Sequence, residues 1–167
     1  TGKLAAEKGL TVVSGLGWRY EPSMRQTIER LHEGAIGQIH TLQTMRMGGG
    51  LWVRPRQAGW TDMQFQLRNW YYYTWLSGDF ITEQFVHELD KMAWVMKDVP
   101  PVSCVCTGGR QSRTGEAFGH IYDHFAAIFE YPDGAKAFAF PRQQNDCSGV
   151  GGVAGAGTVG GAGARAL

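Results

Sequence analysis

Residues 77–94, SGDFITEQFVHELDKMAW, constrain this chain more than any other stretch. Phe80, Ile81, Phe85, Leu89 and Met92 recur at helical spacing, which predicts one helix with a buried face. Glu83, His87 and Asp90 fall at i, i+4 and i+7 and stack on one stripe of that helix. A titratable stripe on an otherwise apolar helix is either a solvated or ion-paired face or an acid/base site. The rest of the sequence decides between them.

A chain of 167 residues is long enough for one domain with a proper core. Its formal net charge of +1 gives no reason to expect a nucleic-acid partner or an anionic membrane surface. It has no run of about 20 apolar residues, so no membrane span is expected. Cys104 and Cys106 alternate in a strand-like run without zinc-knuckle spacing, and with Cys147 the count is odd. Reduced thiols are expected rather than a disulfide framework. The opening, TGKLAAEKGLTVVSG, reads as a helix end running straight into a strand and so as part of something longer. That leaves localisation open between cytoplasm and bacterial periplasm.

In order along the chain, residues 4–8 read as the tail of a helix stopped by Gly9, and residues 10–14 as a buried β-branched strand. This helix–Gly–strand phrase is typical of a doubly wound α/β sheet, whose ligands sit at the carboxyl ends of strands. Arg19 and Tyr20 are site candidates on that position. Residues 23–33 predict a helix with a capping box from Ser23 and Gln26 and a stop at Gly34. Residues 40–47, 102–107, 120–131 and 135–140 read as strands, the last two joined by a Pro-Asp-Gly turn. His120, Tyr122 and His124 would share one strand face. No local acid or thiol accompanies the two histidines, so packing is expected there and no metal.

Residues 51–75 have poor periodicity and read as a long irregular loop of Trp and Tyr with Arg interleaved. Aromatic faces with forked donors between them suit polyols and sugars, and a loop that simply packs its aromatics over the core is an equally open reading. Single-stranded nucleic acid is the other ligand of such a pattern, and the neutral charge argues against it. Residues 148–167 are nearly all Gly, Ala and Val and match nothing before them in composition, as a shifted reading frame would. Disorder or an incidental helix is expected.

From Ala6 to about Cys147 the chain resembles the C-terminal part of the glucose–fructose oxidoreductase / inositol dehydrogenase (Gfo/Idh/MocA) family. GLTVVSGLGWRYEP resembles the last strand of the nucleotide-binding domain with its Arg-x-x-Pro ending. GAIGQI resembles the turn that opens the second domain, and EYPDGAKAFA the sheet hairpin. SGDFITEQFVHELD resembles the helix pattern Gly-Gly-x-x-x-x-Asp-x-Gly-x-His-x-x-Asp, and NWYYYTW a carbohydrate-related subgroup.

The resemblance implies an α/β protein whose second domain is α+β, a mostly antiparallel sheet with helices packed on one face. The last helix and strand of a Rossmann domain would precede it. Residues 1–22 would be the dinucleotide-domain remnant, 23–147 the substrate and oligomerisation domain, and 148–167 the disordered tail. It implies NAD or NADP as cofactor, a small carbohydrate substrate, and homo-oligomers through the sheet face, with no nucleic acid and no membrane. His87 would carry proton transfer with Glu83 one turn away. Arg19 and Tyr20 would line the cofactor side, and Arg68, Asn69, Trp70 and Tyr72 the substrate pocket. The family's Gly-x-Gly-x-x-Gly turn and Glu-Lys-Pro segment are not in this sequence. The function expected is therefore part of an NAD(P)-dependent oxidoreductase acting on a sugar or cyclitol hydroxyl. The alternatives are an NAD-dependent glycoside hydrolase-type relative and a non-catalytic oligomerisation or sugar-binding module.

Overall fold

The computed structural model describes residues 2–164. Its centre is a six-stranded sheet in the order β2-β3-β4-β1-β5-β6, formed by β1 (Ile39–Gly48), β2 (Ser103–Gly109), β3 (His124–Glu130), β4 (Lys136–Gln143), β5 (Val150–Gly157) and β6 (Gly160–Ala164). All neighbours are antiparallel except β1 and β4. Alternation decides the faces: in β4, Ala137, Ala139, Pro141 and Gln143 are buried while Phe138 and Phe140 face the other way.

On the buried face lie α2 (Pro22–His32) and α6 (Val86–Val95). Met24 and Ile28 of α2 and Met92 and Val95 of α6 close over Leu42 and Ala137. The start of α2 is not the one expected. Pro22 occupies its first turn, and the carboxylate of Glu21, not Ser23, accepts from the amide of Met24 at 2.7 Å. A proline at that position has no amide to cap, which moves the cap one residue before it.

The helix expected over 77–94 is three pieces: α4 (Thr74–Ser77), α5 (Phe80–Glu83) and α6. Gly78 (φ 71°) and Asp79 (φ 75°, ψ 164°) break the path with left-handed backbone. Asp79 tolerates a glycine-like conformation because its carboxylate accepts from the amides of Phe80 at 2.6 Å and Tyr122 at 3.0 Å.

Two termini correct the sequence reading further. After α1 (Gly2–Glu7), residues 10–14 form no strand, and Leu10, Val12 and Val13 are 63%, 66% and 75% exposed. Among the described residues no strand runs beside them, so their β-branched side chains have no sheet to enter. In contrast, the Gly/Ala-rich stretch expected to be disordered carries β5 and β6. Residues 165–167 of that expected tail lie outside the described residues. Strand β5 takes the free edge of β1, held by backbone pairing and by its buried Val153. Small residues are required there: a Cβ on Gly157 would collide with the carbonyl of Ile36, and one on Gly155 would meet Leu42 at 3.0 Å.

The 51–75 segment is less irregular than its composition suggests. It contains α3 (Asp62–Arg68), opened by a capping box between Thr61 and Gln64, and a 3-10 turn Trp70–Tyr72. Phe65, Tyr71, Tyr72, Tyr73, Phe80 and Ile121 form a second core beside the sheet. The strand expected over 120–131 begins only at His124. Asp123 is fully buried and accepts from the amides of Gln111 (2.7 Å), Ser112 (2.6 Å) and Arg113 (3.0 Å), which bends the chain out of the ladder. His120 therefore does not share a strand face with His124; its ring packs edge-on against Tyr73 at 5.5 Å.

Candidate active site

His87 stands in the first turn of α6, placed by the break at Gln84 and Phe85. It lines an open cleft of about 310 Å³ with Gly15, Gly17, Trp18 and Glu21. Its Nδ1 is buried and has no hydrogen-bond partner among the described residues. A buried polar atom left unpaired costs free energy, and such atoms are rare unless something else occupies them.

Charged contacts hold the cleft in shape. The 3-10 turn Gly17–Tyr20 is clasped onto α6 by Arg19, whose Nε donates to both oxygens of Asp90 at 2.9 and 3.0 Å. The same guanidinium donates to Asp98 at 2.6 and 3.1 Å. Hydrogen bonds to Asp98 and then Asp90 raise its pKa further above its ordinary value, so it stays charged. Below it, Lys91 and Glu88 form a buried pair at 3.0 Å, with Arg46 at 3.8 Å from Glu88. The Lys91 ammonium lies 4.3 Å from the ring centre of Trp18, a wall of the cleft.

Glu83 ends α5 one turn before His87. The two form no ion pair among the described residues, so the carboxylate does not grip the imidazole. Burial raises the Glu83 pKa, against the opposing pull of His87 and Arg46.

The other expected site residues divide. Arg19 is saturated by two carboxylates, and Tyr20 is 74% exposed. Asn69 and Tyr72 are fully buried and bonded within the protein: Asn69 to the backbone of Arg54, and the Tyr72 hydroxyl to the carbonyl of Leu51 at 3.0 Å. Arg68 lies over the Trp60 ring at 4.6 Å, and Trp70 is partly exposed. The sequence reading missed Glu88, Lys91 and Trp18. Two opposite charges at i and i+3 on an apolar helix were the available signal for the first two.

Among the described residues no group of His, Cys, Asp or Glu is placed to hold a metal, and no helix is long and apolar enough to cross a membrane. A dinucleotide does not fit these residues alone. Among the described residues no glycine-rich turn joins a strand to a helix, and the Arg19 guanidinium is already paired with two carboxylates.

Residues 24–140 match a family model described as GFO/IDH/MocA C-terminal domain. The chain is 24% identical over 136 residues to 2,7-anhydro-N-acetylneuraminate hydratase of Escherichia coli (strain K12), covering 81% of this chain and 32% of that protein. Among solved structures, GenD2 from gentamicin A biosynthesis, in complex with NAD, superposes with a TM-score of 0.72 at 18% identity, covering 96% of this chain and 41% of that one. Aldose-aldose oxidoreductase from Caulobacter crescentus, complexed with glycerol, gives 0.71 at 16%, covering 99% and 50%. Myo-inositol 2-dehydrogenase from Lactobacillus plantarum gives 0.71 at 15%, covering 96% and 44%. The chain spans about a third of the curated relative it matches. At these identities the structures share the fold.

Proposed function

This chain belongs to the GFO/IDH/MocA family, and from that premise we propose that it is the substrate-side part of an NAD- or NADP-dependent oxidoreductase acting on a sugar or cyclitol hydroxyl. His87 is the group that moves the proton. The observation that carries this reading is an imidazole that lines a cleft while its Nδ1 is sealed inside, without a hydrogen-bond partner among the described residues. With Nδ1 sealed, Nε2 is the ring nitrogen left to exchange a proton with a bound hydroxyl. Glu83 supports it electrostatically from one turn away, without fixing the ring.

In this reading residues 1–22 belong with a dinucleotide-binding domain and residues 23–147 with the substrate domain, and the cofactor is held by residues outside this chain. The open face of the sheet is where copies associate. Val105 and Ile128 are 75% and 43% exposed there, and the ring of Phe138 stacks on that of Phe140 with centroids 6.4 Å apart. A hydratase, like an oxidoreductase, needs a proton moved at its substrate, so the decisive variant concerns proton transfer. In a longer protein that includes the dinucleotide-binding domain, His87→Ala lowers turnover by about a hundredfold or more. Unchanged turnover would reduce His87 to a packing residue.

A further inference from the structure

Residues 51–54 have period-two burial although they belong to no sheet, and Pro55 and Arg56 continue the exposed side. Leu51 and Val53 pack against the aromatic core, while Trp52, Arg54 and Arg56 point outward. Buried polar groups fix this row. Asn69 accepts from the amide of Arg54 at 2.8 Å and donates back to its carbonyl at 3.0 Å, and Tyr72 holds Leu51. Burying an amide and a phenol to pin an exposed segment is unusual unless the displayed side chains are used.

A cleft of about 600 Å³ opens beside the row, lined by Arg54, Arg56, Asp62, Phe65, Tyr73 and Glu116. It shares no residue with the His87 cleft. Arg56 lies flat over the Phe65 ring at 4.4 Å and donates to Asp62 at 2.8 Å, which neutralises it. Arg54 packs on Trp52 at 5.6 Å. Neither Arg54 nor Glu116 has an ion-pair partner among the described residues. Beyond Arg54, Trp52 and Trp70 stand 6.2 Å apart and are 43% and 39% exposed.

We propose that the exposed Trp52–Trp70 pair and the polar cleft beside it form a second carbohydrate-binding surface, the indoles taking the face of a neutral saccharide ring distinct from the one at His87 and the cleft its hydroxyls. Exposed indoles stack on the apolar faces of sugar rings, and a free guanidinium and a free carboxylate take their hydroxyls from two sides. Two arginines against Asp62 and Glu116 leave no net charge, which disfavours both acidic sugars and nucleic-acid phosphates. That the ring belongs to the same substrate as the one at His87 rests on the proposed function. That the cleft binds saccharide does not.

The test titrates the 167-residue chain with maltotetraose, cellotetraose, xylotetraose and mannotetraose at millimolar concentrations, following the indole N–H of Trp52 and the Nε–H of Arg54 by NMR. The expected result is saturable shifts at both groups with at least one probe. Arg54→Met should weaken that binding by about tenfold or more, and His87→Ala should leave it unchanged. If Arg54→Met does not fold, Trp52→Leu, followed at the Arg54 Nε–H, replaces it. No shift with any probe overturns the proposal. So do shifts confined to Trp18, binding undiminished in the variant, or binding of an oligothymidylate instead. Loss on His87→Ala alone would return the ligand to the His87 cleft and leave the proposed function standing.

Discussion

The core under α2 and α6 and the aromatic core beside it are built on opposite principles. The first is almost wholly aliphatic, with Met24, Ile28, Leu42, Met92, Val95 and Ala137 closing on one another. The second threads buried polar groups among its rings. Arg113, 2% exposed, lies 5.6, 5.4 and 5.6 Å from the rings of Tyr71, Tyr72 and Phe80 and donates to Gln143. Gln143 also accepts from Tyr71 at 2.8 Å and donates to Gln84 at 3.0 Å. The phenol of Tyr71 is pushed up to about 12, chiefly by burial. An aliphatic core is held by area and tolerates volume-conserving change; a polar one is held by satisfied partners and fails when one is removed.

The strongest way to break this contrast is Asp123→Ala. It strips the acceptor from three backbone amides, that of Arg113 buried and those of Gln111 and Ser112 partly so, and should cost about 3 kcal/mol or more in a denaturant titration. Burial pushes the Asp123 pKa up, but hydrogen bonds from His124, the Arg113 amide, Gln144 and the Ser112 amide outweigh it and hold the carboxylate well below its usual range. The folded pKa lies below the unfolded one, so this stability is present above about pH 4 and is lost as pH falls toward the folded value. A loss below about 1 kcal/mol would show that the polar core is not held by its partners.

Next in size is the buried pair under the His87 cleft. Lys91→Met leaves buried Glu88 with only the more distant Arg46, 3.8 Å away, and should cost about 3 kcal/mol, while Lys91→Met with Glu88→Leu should recover most of that loss. No recovery in the double variant would mean that the pair stabilises beyond mutual neutralisation. The smallest effect is expected in the aliphatic core, where Ile28→Val should cost about 1 kcal/mol. A larger cost there than at Asp123 would invert the comparison.

The same contrast explains what was legible in the sequence. Strands β1 and β4 and helix α2 show themselves by period, because each buries one face of alternating or helical spacing. The 77–94 segment shows its stripe but not its breaks, since those depend on Asp79 finding the amide of Tyr122, 43 residues away. Strand β5 carries no side-chain signal, because it is held by backbone pairing to β1 and by the need for small residues beside Leu42 and Ile36. The 10–14 run carries the signal of a strand without a sheet to join. In the candidate site, His87 was legible from its motif. The occupation of Arg19 by Asp90 and Asp98 was not, and neither were the architectural uses of Asn69 and Tyr72, because partners so distant in sequence leave no periodic trace.

The central claim is that the imidazole of His87 exchanges the substrate proton. The pH dependence of kcat/KM tests it most directly, in a longer protein that includes the dinucleotide-binding domain, with His87→Ala and Glu83→Gln beside the parent. The account predicts that His87→Ala removes one limb of the profile along with most of the rate, and that Glu83→Gln shifts that limb while retaining most of the rate. A profile of unchanged shape in His87→Ala, scaled down or not, would contradict it.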